Sequence, residues 1–564
     1  MRIRPRAAVW PATIAGTLVA IAATVAHAEA RLPNVLLIVA EDLSPRIGSF
    51  GDPVAITPHI DALATQGVRY PNTFTAAGVC APSRAALITG MHPISIGASH
   101  MRTSSRPEGR YLTVLPPEVR PLPEILRAHR VHTINFAKHD YQFAMPIGAG
   151  PPTMWDEDLS MGDVSQRSSN QPFFEMVNLA VTHESGVFTP LGSWPNSFIH
   201  LAMQLARFYQ FGGSITTAGS VSPNDVVLPP YYPDVPAVRE DLATYYDNIA
   251  YMDQQVGELL AKLEADGLAE STIVVWTTDH GDGLPRAKRE LYDSGLRVPM
   301  IVRWPEALRP KGAVPGSVDE RLVSFVDLAP QILEWMGIAA PANFHGQAFA
   351  GPDAPKRSAI FAQRDRIDAV RDRQRAMRDA RFKYIRSWAP ELPGGHALAF
   401  RDNQRGVRAM RALYEEGKLD PVQRLWFEPV KEERLYDLES DPFEVRDVSG
   451  DPRYAADLSR MRGALETWLT RVGDLMDAPE DEIAERFWPG GDQPETANPT
   501  FSERRGSVTI RSATPGAAID YRSGDQQFWT LYTEPFAAKP GQGIEARAVR
   551  YGYAESNITH FKIR

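Results

Sequence analysis

The chain has 564 residues, several times the length of an ordinary domain, so a large core with one or more satellite modules is expected. Hydrophobic residues make up 43% and charged residues 23%, a globular balance that excludes wholesale disorder. A formal net charge of −9 excludes a broad basic surface for nucleic acid, so any anionic ligand must be held by local cations.

Arg2, Arg4 and Arg6 precede an apolar run that ends in Ala26-His27-Ala28, a small-x-small cleavage site. Residues 1–28 therefore read as a secretory signal peptide, which predicts a periplasmic or secreted protein. An uncleaved anchor is the alternative, since the run approaches spanning length, but Pro11 and the small-residue ending favour cleavage. No later stretch is apolar enough to span a bilayer, so contact with a membrane is expected only through the export signal. Cys80 is the single cysteine, which precludes an internal disulfide and leaves the fold dependent on core size.

Four apolar runs have the composition of strands buried on both faces, and each ends abruptly in chemistry-bearing residues. Residues 34–40, "NVLLIVA", end in Glu41-Asp42, and residues 131–137 end in Lys138. Residues 173–182 end in His183, and residues 271–278 end in Asp279-His280. Between the last two, residues 241–267 set Leu242, Tyr245, Ile249, Met252, Val256 and Leu263 on one helical stripe before Gly267. Strand, helix, strand in this order predicts a largely parallel sheet covered by helices on both faces. Ligands of such sheets bind beyond the carboxyl ends of the strands, so the four endings are expected to converge.

"AAGVCAPSRAALITG", residues 76–90, fits this frame. Pro82 suits a first helical turn, and Ser83 to Ile88 continue a helix toward Gly90, which places Cys80 beside a helix N-terminus that favours an anion. The plain alternative for a lone cysteine is an inert buried thiol.

Further along, residues 376–388 and 433–454 read as strands and turns, and residues 456–476 as an amphipathic helix. Residues 488–500 are rich in Pro and Gly and read as a flexible linker, after which four alternating runs predict a small all-β module. Trp529, Tyr532 and Tyr551 in that module are either core aromatics, the commoner case in strands, or a sugar-stacking surface.

"CAPSRAALITG" resembles the Cys-x-Pro-Ser-Arg signature of the type I sulfatases, and the resemblance runs from about residue 33 to 475 through "TPHIDALATQGVRYPNTF", "DHG", "KRELYDSGLRVPMIVRWP" and "RLYDLESDPFE". "EDLSP", "IGASHMR" and "KHDYQF" look most like the heparan N-sulfatase-like bacterial branch. The resemblance implies an alkaline-phosphatase-like α/β fold, with a large mixed, mostly parallel sheet between helices over residues 31–345 and a smaller antiparallel α+β subdomain over 346–487. Residues 501–564, beyond a linker at 488–500, resemble the C-terminal β-sandwich of chitobiases and hexosaminidases; because every candidate catalytic residue lies between 41 and 288, the module is expected to serve targeting to a polymeric substrate and not the chemistry.

The same resemblance implies that a formylglycine-generating maturation enzyme oxidises Cys80 to Cα-formylglycine before folding. The hydrated aldehyde then attacks sulfur with one hydroxyl and expels sulfate through the other. Arg84 is expected to polarise this diol, Lys138 and Lys288 to bind sulfate oxygens, and His183 to act as general acid. Glu41, Asp42, Asp279, His280 and modified Cys80 are implied as ligands of Ca²⁺, with Mg²⁺ or Mn²⁺ as alternatives.

The sequence departs from the family pattern in three places. Glu41 replaces the commoner first aspartate, and His280 offers nitrogen in place of an asparagine oxygen. Many relatives carry Lys-x-His, whereas here Lys138 is followed by His139 and then Asp140, which leaves His139 as a solvated or supporting residue. Arg286 competes with Lys288 for its role.

The implied activity is hydrolysis of a sulfate ester or sulfamate on a sulfated small molecule or glycan. The alternatives are a phosphodiester or phosphonate monoester hydrolase and, in another class, a non-catalytic glycan-binding protein.

Overall fold

The structure is a computed structural model that describes residues 32–144, 150–158, 171–188, 201, 205, 221–524, 526 and 528–564. The proposed signal peptide, residues 1–28, lies outside the described residues. No helix among the described residues is long and apolar enough to cross a membrane.

A seven-stranded mixed sheet organises the main body. In spatial order its strands are Val68–Arg69, Met300–Arg303, Thr272–Thr278, Asn34–Ala40, Phe173–Leu179, His132–Phe136 and Glu157–Asp158. The last five run parallel, and Met300–Arg303 closes one side antiparallel to Thr272–Thr278. The Asn34–Ala40 strand sits near the middle because all seven of its residues are buried. Val35, Leu37 and Val39 join the core on one face, and Leu36, Ile38 and Ala40 join the core on the other. Each of the Val, Leu and Ile side chains stabilises the fold by roughly 1.5–3 kcal/mol relative to exposure.

The long helix Pro236–Ala265 covers one face with Leu242, Tyr245, Ile249, Met252 and Val256. It begins earlier than the apolar stripe indicates, because Pro236 occupies its first turn, where a missing N–H leaves nothing unpaired. The helices Cys80–Thr89 and Leu328–Trp335 contribute to the opposite core.

Register decides where the site lies. Ala40 pairs with Leu179 on one side and with Thr278 on the other, so three strands end level. The residues that follow them, Glu41-Asp42, His183 and Asp279-His280, therefore emerge at one edge. Phe136 pairs with Val177, which brings Lys138 out at the same level.

A four-stranded antiparallel sheet, Ile360–Ile367, Val370–Arg378, Phe382–Ser387 and Glu433–Asp437, packs against the helix Ala455–Val472. Phe361 of the sheet stacks on Trp468 of the helix with ring centroids 4.7 Å apart.

Residues 500–564 form a three-stranded and a four-stranded sheet around Val508, Ile510, Ile519, Ile544 and Ile563. Three of these strands, Thr500–Arg504, Thr530–Leu531 and Phe536–Ala537, escape the sequence reading. Two are only two residues long and cannot show an alternation, and the third is hidden behind the Pro/Gly-rich stretch.

The expectation of a flexibly tethered module is corrected here. Trp488 is buried and donates its indole N–H to Gly552 O at 3.1 Å, and the Thr496 N–H donates to Ala554 O at 3.0 Å. Tyr551 is 1% exposed and belongs to the main core, where its hydroxyl donates to Glu124 Oε2 at 2.6 Å and its ring lies 5.9 Å from Phe143. Arg127 bridges Asp156 of the main body at 2.7 Å and Asp520 of the module at 3.2 Å. Gly552 fixes the fit, because a Cβ there would come within 2.2 Å of Thr113 O and its φ of +94° suits glycine. Tyr551 is thus a core residue, while Trp529 lies under Arg522 and Arg547 at 4.6 and 4.3 Å.

Candidate active site

Cys80 opens the helix Cys80–Thr89, every residue of which is buried, and no side chain caps its N-terminus. Its Sγ lies 3.3 Å from His280 Nε2 and 3.9 Å from Asp42 Oδ1. The level strand ends thus deliver acids and imidazole to the positive end of a helix dipole.

Each acid is anchored by a cation. Asp42 Oδ2 accepts from Lys288 Nζ at 2.7 Å and from the Glu184 N–H at 2.7 Å, while Oδ1 faces His280 at 3.0 Å. Asp279 Oδ2 accepts from Arg84 Nε at 3.0 Å, and its Oδ1 accepts the Asp42 N–H at 2.9 Å. Glu41 pairs with Lys138 at 2.8 Å and approaches Arg84 at 3.8 Å. Both oxygens of each aspartate are thus engaged, and Asp42 Oδ1 is the one turned toward His280 and Cys80.

The resulting field shifts the titration of Cys80, Asp42 and His280. Burial pushes the Cys80 thiol up, but Lys138 and Lys288 outweigh it and bring the pKa down to about 6. Burial also opposes ionisation of Asp42, yet Lys288, His183 and His280 hold it well below the usual carboxylate range. His280 is discouraged from charging by burial but is raised to about 10 by Asp279 and Asp42.

The backbone is held in uncommon conformations at the same place. Asp42, Ala137, Arg286 and Arg289 have φ of 52°, 77°, 56° and 79°, a left-handed region that non-glycine residues enter at a cost of about 1–3 kcal/mol each. These positions lie at or beside Asp42, Lys138 and Lys288, whose aim they set.

Of the remaining predicted residues, His183 is half-buried, and its Nδ1 accepts from the Ser185 N–H at 3.4 Å and lies 2.9 Å from Ser185 Oγ. It falls in a group with Glu41 and Asp42, within 4.8 Å ligand atom to ligand atom. His139 is not solvated; it is buried and bonded to Asp158 and to Asn135, the latter at 2.7 Å. Arg286 points away from Cys80. Its guanidinium donates to Phe443 O at 3.1 Å and Glu444 O at 2.6 Å, between the rings of Tyr231 and Tyr292.

The sequence reading missed Glu184, Arg289, Asn178 and the Arg102–Asp140 pair. Arg289 grips both oxygens of Glu184 at 2.9 and 2.7 Å, and Glu184 in turn holds Lys288 at 3.0 Å. Asn178 Oδ1 accepts from Arg84 at 2.5 Å. Arg102 forks onto Asp140 at 2.6 and 3.0 Å. Glu184 follows His183 directly, but nothing local says that its partner lies a hundred residues away.

The donor set fits a divalent cation. Ligand atoms of Asp42, Cys80, Asp279 and His280 lie within 4.8 Å of one another, all buried, with two carboxylates to balance the charge. A cation held there would compete with the proton for His280. Glu41 stands apart from this group of four and joins Asp42 and His183.

Residues 33–338 match the Sulfatase family, and residues 286–426 match the C-terminal region of N-sulphoglucosamine sulphohydrolase. An ulvan-active sulfatase of Formosa agariphila is 40% identical over 93% of this chain and 90% of its own. Human N-sulphoglucosamine sulphohydrolase is 27% identical over 82% of this chain and 94% of its own. Among solved structures, one in complex with its substrate D-glucosamine-2-N,6-O-disulfate superposes with a TM-score of 0.54 at 16% identity, covering 78% of this chain and 98% of that one. The fold is thus alkaline-phosphatase-like, and the chain belongs to the sulfatase family of sulfuric ester hydrolases.

Proposed function

We propose that the protein hydrolyses a sulfate ester or sulfamate on a sulfated glycan, after export to the periplasm or beyond. The carrying observation is the convergence of Arg84, Lys138, Lys288 and His183 with paired acids around Cys80. The names of the two curated relatives support a glycan substrate.

Cys80 is completely buried, so a maturation enzyme must reach it before the chain folds. Oxidised to formylglycine, residue 80 supplies a hydrated aldehyde as nucleophile and as the means of expelling sulfate. A divalent cation, Ca²⁺ in preference to Mg²⁺ or Mn²⁺, supplies charge neutralisation and would be held by Asp42, Asp279, His280 and residue 80, with Glu41 beside them. Arg84, fixed by Asp279 and Asn178, donates to the oxygen at residue 80. Lys138 and Lys288 place compact positive charge beside the sulfate oxygens. In its imidazolium form His183 donates from Nδ1 to Ser185 Oγ, 2.9 Å away, gives its Nε2 proton to the leaving oxygen or nitrogen, and is left as neutral imidazole.

Mass spectrometry of the peptide spanning Cys80, from protein made in its own host, tests the nucleophile; an intact thiol in active protein would sink it. Side-by-side rates on an aryl sulfate and an aryl phosphodiester test the reaction, and a faster phosphodiester would overturn the reading. A panel of sulfated oligosaccharides then identifies the sugar.

A further inference from the structure

Beside the site lies a cavity of about 100 Å³ whose lining includes Arg102, Arg110, Tyr111, Leu112, Asp140 and Ala144. Asp140 connects it to the catalytic centre, because its carboxylate meets Arg102 at 2.6 Å on one side and stands 3.9 Å from Lys138 Nζ on the other. Lys138 in turn holds Glu41, one strand ending from Cys80. The cavity is therefore separated from the catalytic cations by a single side chain.

Its charge is unbalanced. Two arginines face one carboxylate, and that carboxylate is already shared with Lys138. Arg102 spends N–H groups on Asp140 and on Met101 O, but among the described residues its Nε–H meets no acceptor. The Arg102 side chain remains 27% exposed. Arg110 is exposed, and among the described residues no hydrogen bond or ion pair engages its guanidinium. Tyr111, Leu112 and Ala144 form apolar walls, which exclude water and strengthen whatever polar contact is made at the rim.

The size is compatible with such a contact. At about 100 Å³ the space has room for a charged substituent projecting from a sugar. Guanidinium forks match the planar or tripodal oxygens of carboxylate and sulfate.

We propose that this cavity is a second anion subsite, in which Arg102 and Arg110 bind a carboxylate or a further sulfate carried by the glycan whose scissile sulfate lies at Cys80. The proposal rests on the sulfatase reading above and narrows its substrate to glycans with at least two anionic groups. Arg102 has a positioning role as well, through Asp140, so Arg110 is the cleaner probe.

The test uses the matured full-length protein and three versions of one sulfated disaccharide: with a uronic carboxylate, with that carboxyl reduced, and with a second sulfate in its place. Charge-assisted hydrogen bonds of about 1.5–3 kcal/mol predict that the wild type prefers a doubly anionic version by about 10- to 100-fold in kcat/KM. The arm that shows the preference identifies the group. Arg110→Gln should collapse that ratio mainly through KM, and Arg110→Lys should restore part of it. A wild type indifferent to the second anion, or a variant that loses equally on charged and reduced substrates, overturns the subsite. Calorimetric binding of the same disaccharides separates the two readings: charge-selective binding that depends on Arg110 without any turnover upholds the subsite and removes the sulfatase reading. Absence of charge-selective binding alongside normal turnover does the reverse.

Discussion

Around Cys80 the protein buries Glu41, Asp42, Arg84, Glu184, Asp279, His280, Lys288 and Arg289 in one network of ion pairs and hydrogen bonds. The C-terminal module instead closes on small aliphatic side chains such as Val508, Ile519 and Ile544. Its buried polar contacts, Tyr551 on Glu124 and Asp520 on Arg127, lie where it meets the main body. In the first region each charge exists only because an opposite charge is held against it. In the second, stability comes from apolar area, and polarity is reserved for docking. A change at the centre should therefore alter chemistry and stability together, whereas a change at the module should act on stability first.

The largest expected effect is at the centre. Asp42→Ala or Asp279→Ala should lower kcat/KM on an aryl sulfate by at least about 10³-fold, since each removes a carboxylate proposed to hold the cation and takes a partner from buried Lys288 or Arg84. Thermal unfolding of the same variants should show a loss of about 3–5 kcal/mol, the usual consequence of leaving a buried partner unpaired. Full activity in either variant would separate the network from catalysis.

Next comes the module. Tyr551→Ala should destabilise the whole protein by about 3–5 kcal/mol, as for other large aromatic truncations, and Tyr551→Phe by about 1 kcal/mol, since Glu124 loses the hydroxyl but keeps Arg120 at 3.2 Å. A chain ending near Thr496 loses Tyr551, Val549 and Asp520 from the main interface and should lose small-substrate activity in proportion to folded protein. Unchanged thermal stability in that truncation would restore the picture of an independent targeting unit.

Acid should distinguish the two regions more gently. Burial opposes the charge on Glu184, but Arg289 and Lys288 bring its pKa down to about 2. The depressed value means that Glu184 contributes stability above its unfolded pKa of about 4.3, and that this contribution fades as pH falls toward 2. Urea midpoints of wild type and Glu184→Gln should therefore differ most at pH 6 and draw closer as pH falls through 4 toward 2; a constant gap would show that Glu184 acts through packing.

The smallest effect belongs to exposed pairs. Lys262→Ala breaks only the Lys262–Asp266 bridge on the outer helix and should cost no more than about 0.5 kcal/mol. A larger loss would mean that surface charge matters here beyond the two regions compared.

Much of the centre was legible because its carriers are local. A run such as residues 34–40 is apolar at every position, and Glu41-Asp42 follows it without a break; both features are read within ten residues. The same holds for Asp279-His280 after Thr278, for Lys138, and for Cys80 before Pro82. The aim of those side chains was not legible. His139 is adjacent to Lys138, yet the loop that follows the strand His132–Phe136 directs it onto Asp158, and Arg286, two residues from Lys288, is drawn off by the carbonyls of Phe443 and Glu444.

The sequence by itself determined the strands, the long amphipathic helix, the residue types at each strand ending and the motif at Cys80, because burial pattern and turn chemistry act over a few residues. Only the tertiary structure decided the pairings: Arg84 with Asp279, Lys288 with Asp42, Arg289 with Glu184, Arg102 with Asp140, and Tyr551 with Glu124. It also turned a stretch that reads as a loose linker into a packed seam at Trp488 and Thr496. Such partners meet through strand register and crossover connections, and a charge's choice of partner depends on which other charges are buried within reach, a property of the assembled interior and not of any segment.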